Sequence, residues 1–213
     1  MFSFSNKLYP ITDTRISQRS HANQVAQLSE GGARLIQVRE KYLAPRDFFR
    51  EAEAAVARSR AAGTRIIIND RADIALALRA DGVHLGQDDL PPDAARRLLG
   101  PNAIIGFSTH NPVQAKLAAQ LPVSYVAIGP IFATNTKCNP DAIVGIEGLR
   151  RVRDAVGDIA LVAIGGITIE NAAAVISAGA DAVAVIGALF REELSISENA
   201  RRLLQVLDAS QTS

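Results

Sequence analysis

Eight times along this chain a short, almost wholly apolar run ends in polar or glycine residues and gives way to apolar residues at helical spacing. Leu8 to Thr12 ends at Asp13, and Val25 with Leu28 marks the helix that Gly31-Gly32 closes. Arg34 to Arg39 leads into Glu40 and Lys41, followed by Phe49, Ala52 and Val56 on one helix face. Ile66-Ile67-Ile68 stops at Asn69-Asp70 before Ile74, Ala77 and Leu78; Val83 and Leu85 precede Gln87-Asp88-Asp89 and then Ala95, Leu98 and Leu99. Ala103 to Phe107 ends in Ser108-Thr109-His110 ahead of Leu117, Ala118 and Leu121. Tyr125 to Ile128 enters the longest connection, to about Gly145, before Leu149, Val152 and Val156. Leu161 to Ile164 meets Gly165-Gly166 before Ala172, Val175 and Ile176, and Val183 to Ile186 precedes Leu203, Leu204 and Leu207.

Short uninterrupted apolar runs are strands buried on both faces, and strands alternating with helices call for a parallel sheet covered by those helices. The count of units predicts a closed (β/α)8 TIM barrel occupying residues 1–213 as a single domain. An open doubly wound sheet satisfies the same periodicity, because closure is not written in a hydrophobic pattern. The two kinds of connection differ in chemistry. Helix-to-strand links such as Ala80-Asp81-Gly82 and Gly179-Ala180-Asp181 are helix stops, whereas the strand-to-helix links carry nearly every reactive group. In a barrel those links share the C-terminal rim, where active sites of this architecture sit.

Charge excludes some functions. Lys and Arg total 23 against 22 Asp and Glu, so no global field favours nucleic acid or an anionic membrane. The lone Cys138 rules out an intramolecular disulfide and an ordinary zinc cluster, no apolar run reaches the ~18 residues of a membrane span, and Met1 to Pro10 lacks the pattern of a signal peptide. A soluble cytoplasmic protein is the expectation.

The rim itself suggests a ligand. Asp70 and Asp89 follow neighbouring strands, and acids on one rim suit Mg2+, which takes one or two carboxylates and leaves its other positions to water and substrate phosphate. The competing reading makes each an N-cap of the next helix. Arg39, Lys41 and Lys137 supply cations, and Asn69, Ser108, Thr134 and Thr136 supply neutral hydrogen bonds, while Thr109 is assigned to helix capping. Cations beside a metal point to a diphosphate. Gly165-Gly166 and Gly187 would expose backbone N–H groups for a second anion, although a sharp turn asks for the same glycines.

Gln37-Val38-Arg39-Glu40-Lys41, Asn69-Asp70, His84-Leu85-Gly86-Gln87-Asp88-Asp89, Gly106-Phe107-Ser108-Thr109-His110, the run from Gly129 to Lys137, and Ile164-Gly165-Gly166-Ile167 occur in this order. As a set, spanning Leu8 to the last helix, they resemble the thiamine phosphate synthase family. The resemblance implies coupling of 4-amino-2-methyl-5-(diphosphooxymethyl)pyrimidine with a thiazole phosphate, carboxylated or not, to give thiamine phosphate and diphosphate. It implies that Gln37, Arg39, Lys41, Asn69, Ser108 and Lys137 contact the pyrimidine diphosphate and that Asp70 and Asp89 bind Mg2+. It further implies that Thr134, Asn135 and Thr136 cover the thiazole, and that Gly165 or Gly166 and Ile186-Gly187 meet its phosphate. Ser is the usual residue of the family where Gly187 stands, so the resemblance implies a backbone-only contact here.

Such a coupling needs charge stabilisation rather than a protein nucleophile. Arg39, Lys41, Ser108 and Lys137 are therefore the expected catalytic groups, and Cys138, His21, His84 and His110 are not; His84, inside an apolar strand, is read as satisfying a core hydrogen bond. A thiazole tautomerase on the same barrel, and a non-catalytic barrel binding a ligand of the thiamine pathway, are the alternatives. No motif encodes the oligomeric state, which leaves a homodimer open.

Overall fold

Strands β1 (Leu8–Thr12), β2 (Leu35–Val38), β3 (Arg65–Asn69), β4 (Gly82–Leu85), β5 (Ile104–Thr109), β6 (Tyr125–Ile128), β7 (Ala160–Ile164) and β8 (Ala182–Val185) pair in sequence order. All neighbours run parallel, and β8 returns to β1 through Leu8 opposite Val183. The sheet is thus a closed barrel in this computed structural model, which describes residues 2–134, 142–191 and 193–209. Closure removes both sheet edges and settles the alternative of an open sheet.

Successive side chains of a strand point to opposite faces. Tyr9, Ile11, Leu35, Ile67, Ile104, Tyr125 and Val162 fill the interior. Leu8, Ile36, Val38, Ile66, Ile68, Val83 and Leu85 face outward to the helices. Both faces are apolar, which is why the strands read as continuous runs. Each fully buried Ile contributes about 1.5–3 kcal/mol relative to exposure, and Ile66, Ile67 and Ile68 are all buried. Below the barrel, Phe4 lies 5.8 Å from the Tyr9 ring and 5.5 Å from that of Tyr125, so aromatic packing closes the N-terminal end.

The outer layer comprises α1 (Thr14–Ser17), α2 (His21–Glu30), α3 (Pro45–Ala62), α4 (Ala72–Leu78), α5 (Pro92–Leu99), α6 (Pro112–Ala118), α7 (Gly145–Val156), α8 (Ala172–Ser177) and α9 (Ile196–Ala209), with a 3-10 turn at Gly187–Phe190. Helix α1 is too short to show periodicity; it forms because the Asp13 carboxylate accepts hydrogen bonds from Arg15 N and Ile16 N. Two expected apolar stripes differ. Leu98 is 43% and Leu117 61% exposed, and the inward packing of α5 and α6 comes from Ala95, Ala115 and Ala118. Thr109 does not cap α6. Strand β5 runs on to Thr109, whose hydroxyl donates to Ala127 O at 2.8 Å, and Asn111 Oδ1 takes the cap by accepting from Gln114 N at 2.9 Å. Among the described residues no helix is long and apolar enough to cross a membrane.

Candidate active site

The C-terminal mouth of the barrel opens into a cavity of about 1140 Å³. Gln37, Arg39, Lys41, Asn69, Asp70, Asp89, Ser108, Thr134, Gly165, Gly166, Ile186 and Gly187 all line it. Asn135, Thr136 and Lys137, and with them Cys138, lie outside the described residues.

The acids arrive by two different turns. Asp70 leaves β3 at φ 62, a left-handed conformation that carries strain for an L residue but that Asp tolerates. Its amide donates to His84 O at 2.8 Å, and its Oδ2 pairs with Lys41 Nζ. The N-cap of α4 is Arg71, with no side-chain cap bond, so Asp70 has no capping role. Asp89 folds back so that its Oδ2 accepts from Gly86 N at 2.7 Å, while Pro91 occupies the N-cap of α5. Burial raises the proton affinity of Asp89, and the hydrogen-bonded carboxyl of Asp70 raises it further, against the pull of Gly86 N–H and Lys41. The two carboxyls therefore share one spot, and ionising both there would create a surplus of negative charge.

That surplus is a test of fit for a divalent cation. Two adjacent carboxylates disfavour joint ionisation, and a cation between them relieves the repulsion. Among the described residues no group of three or more His, Cys, Asp or Glu could hold a metal, so an ion here would draw its remaining ligands from water and a bound substrate. This is the coordination habit of Mg2+.

Cationic and neutral donors surround the pair. Arg39 follows β2 and is held by Asp13 through Nη1, 3.0 Å from Oδ2. That restraint, invisible in sequence because Asp13 belongs to the preceding unit, orients the guanidinium. Asn69 Nδ2 is buried in the cavity wall without a hydrogen-bond partner. An orphaned donor of this kind costs about 1–3 kcal/mol unless a ligand satisfies it. Ser108 Oγ lies 2.8 Å from His84 Nε2, and His84 Nδ1 lies 2.9 Å from the Tyr125 hydroxyl. His84 thus makes the core hydrogen bonds expected of it. Burial lowers its pKa to about 4, with Asp89 opposing and Lys41 assisting, so the ring is neutral at physiological pH.

Gly165 and Gly166 have φ of 103 and 63, in the region that favours glycine. A side chain would also collide: a Cβ on Gly165 would lie 2.6 Å from Pro130 Cβ, and one on Gly166 2.5 Å from Ala133 O. Ile131 N and Phe132 N donate to Ile164 O and Gly165 O at 2.9 and 3.0 Å. The glycine pair therefore seats the connection after β6 as well as facing the cavity. Gly187 differs, since a Cβ there would meet nothing within 4 Å.

Sequence reasoning missed Tyr9, Tyr125 and Arg191, which also line the cavity or its floor region. The inward alternation of Tyr9 with Ile11 and of Tyr125 with Ala127 was the available signal. Arg191 follows the 3-10 turn and faces Glu170 at 3.8 Å, a placement no local motif marks.

Residues 8–189 match the profile of the family described as thiamine monophosphate synthase. The chain is 43% identical over 206 residues to a thiamine-phosphate synthase of Chloroflexus aurantiacus, covering 96% of this chain and 94% of that protein. It is 45% identical over 204 residues to the thiamine-phosphate synthase of Albidiferax ferrireducens, covering 95% and 92%. Among solved structures, the thiamine phosphate pyrophosphorylase from Pyrococcus furiosus superposes with a TM-score of 0.85 at 34% identity, over 96% of each chain.

Proposed function

The chain belongs to the thiamine monophosphate synthase family, a family of transferases, and on that premise we propose that its cavity joins a pyrimidinylmethyl diphosphate to a thiazole phosphate. The products are thiamine phosphate and diphosphate. The observation that carries the reading is the meeting of Asp70 and Asp89 beside Lys41 and Arg39 at the barrel mouth. This combination, anionic at its centre and cationic at its border, suits a metal-bound diphosphate better than a plain monoanion.

Asp70 and Asp89 would hold Mg2+, which when bound neutralises charge on the diphosphate oxygens. Arg39 and Lys41 stabilise the negative charge that grows on the departing group, and Lys137 is assigned the same role from sequence. The pyrimidinylmethyl cation left behind is stabilised by its own ring amino group, and the thiazole nitrogen attacks it. No protein acid, base or nucleophile is needed for that bond. Asn69 Nδ2 and Ser108 Oγ orient the pyrimidine portion, and backbone at Gly165, Gly166 and Ile186-Gly187 receives the thiazole phosphate. Thr134 lines the cavity, and Asn135 and Thr136 are assigned with it from sequence to the thiazole, where exclusion of water would protect the cation.

An isomerase working by acid–base chemistry would call for a His free to exchange protons; His84 is engaged at both ring nitrogens, and His110, which also lines the cavity, has its Nδ1 3.0 Å from Gly129 O. Purified protein given both substrates and Mg2+ is expected to release thiamine phosphate and diphosphate in equal amounts. Failure of diphosphate release under those conditions would remove the synthase reading.

A further inference from the structure

Beneath the cavity runs an unbroken chain of side-chain hydrogen bonds that the coupling chemistry does not itself require. Gln37 Nε2 donates to Tyr9 Oη at 3.1 Å, Tyr9 Oη lies 2.7 Å from Tyr125 Oη, and Tyr125 Oη lies 2.9 Å from His84 Nδ1. His84 Nε2 then lies 2.8 Å from Ser108 Oγ at the cavity wall. Gln37, Tyr9, Tyr125 and His84 are buried, and although Gln37, Tyr9 and His84 also border the cavity, Ser108 is the partly exposed member of the chain.

The chain has a direction. An amide nitrogen can only donate, so Tyr9 Oη accepts from Gln37. Tyr9's own proton then goes to Tyr125, because among the described residues Tyr9 Oη has no other partner that can accept it, and a donor left unpaired in a dry interior is costly. Tyr125 accordingly donates to His84 Nδ1, which leaves the imidazole proton on Nε2. That proton is given to Ser108 Oγ, and the serine proton is turned away from His84 into the cavity.

Packing holds the geometry. Strand register sets Gly106 beside both His84 and Tyr125, and a Cβ on Gly106 would fall 2.1 Å from Tyr125 Cζ. Only a missing side chain leaves room for the tyrosine. The Tyr125 ring stacks on His84 at 5.6 Å and 20°, and Phe4 covers both tyrosines from below. Both tyrosine rings are buried, so their hydroxyls are held among these partners rather than in solvent.

We propose that Tyr9 and Tyr125 are positioning residues which, through one tautomer of His84, make the Ser108 hydroxyl an obligate hydrogen-bond donor to the substrate. The site then selects an acceptor atom at that point, such as a ring nitrogen or a phosphoryl oxygen, and rejects a donor. Were the chain reversed, Ser108 would donate to His84 and present a lone pair. The identity of the acceptor rests on the synthase reading; the direction of the chain does not.

Two measurements test this separately. In ligand-free protein labelled with 15N at its three histidines, long-range 1H–15N spectra report which ring nitrogen of each carries the proton. His84 is assigned by loss of its signals in His84→Gln, or by elimination with His21→Asn and His110→Asn if that variant does not fold. The expected form is Nε2–H; Nδ1–H as the major form overturns the proposal even if the enzyme is fully active. In kinetics, Tyr125→Phe should lower kcat/KM roughly tenfold in the wild-type background and leave it within about twofold in a Ser108→Ala background. Additive losses would mean that Tyr125 does not act through Ser108. Absence of any synthase activity in the wild type sinks the functional reading and leaves the tautomer result standing.

Discussion

Asp89→Asn separates a functional carboxylate from a structural one, because the substitution keeps an acceptor oxygen for Gly86 N while deleting the charge. In the folded protein burial and the carboxyl of Asp70 raise the proton affinity of Asp89. A raised folded value means that this group's contribution to stability is present while it is protonated and is lost as pH rises through that value. With Asp89 ionised, its meeting with the Asp70 carboxyl is therefore a net destabilisation of the fold. Two unit charges ~4 Å apart repel by about 4 kcal/mol at an effective dielectric near 20 and about 1 kcal/mol in water. The open mouth and the ion pair of Lys41 with Asp70 place the site toward the lower figure, on the order of 1 kcal/mol. For a chain of this length that corresponds to about 2–4 °C in Tm.

Thermal unfolding in metal-free buffer at pH 7 should accordingly show Asp89→Asn equal to the wild type or about 2–4 °C above it. Adding Mg2+ with diphosphate at tenfold over their apparent Kd should stabilise the wild type by about 1.4 kcal/mol, or roughly 3–6 °C, and leave the variant nearly unmoved. Turnover with both substrates should fall at least a hundredfold, a loss on the order of 2.7 kcal/mol of transition-state stabilisation. The reasoning is refuted if the variant melts several degrees lower without metal, which would make the acid a structural hydrogen-bond acceptor. An unchanged response to Mg2+ and diphosphate would refute it equally.

Asn69→Leu removes the orphaned Nδ2 and should leave urea stability unchanged or raised by about 1 kcal/mol, while KM for the pyrimidine substrate rises about tenfold; a stability loss beyond 2 kcal/mol would give Asn69 a structural role instead. Gly165→Ala forces a Cβ against Pro130 at a backbone angle that disfavours L residues, and it should lower urea stability by about 2–4 kcal/mol, whereas a wild-type denaturation midpoint would contradict the observed seating of the loop. Gly187→Ser meets open space, so it should fold like the wild type and lower KM for the thiazole phosphate severalfold; a raised KM would place that phosphate elsewhere.

Much of the architecture was legible because the hydrophobic pattern of a buried parallel strand is local. The eight strands lie where the apolar runs predicted them, within a residue or two at each end. The departures come from competition that a single segment does not reveal. Thr109 stays in the ladder because Ala127 O on the next strand takes its hydroxyl proton, and only then does Asn111 become the cap. Leu98 and Leu117 face solvent because small alanines let α5 and α6 approach the barrel closely.

Periodicity marks which residues end strands, and in a parallel barrel all such residues reach one rim, so the placement of Asn69, Asp70, Asp89 and Ser108 at the cavity was legible in the chain, whereas that of Tyr9 and Arg191 was not. Which of those residues touch was decided by tertiary structure. The left-handed turn at Asp70, the backward fold of Asp89 and the hold of Asp13 on Arg39 join groups from different units. The direction of the Tyr9 to Ser108 chain depends on strand register across the barrel interior, through contacts separated by up to 116 positions. Local pattern encodes the face on which a side chain lies; distance and angle between side chains arise only when the sheet closes.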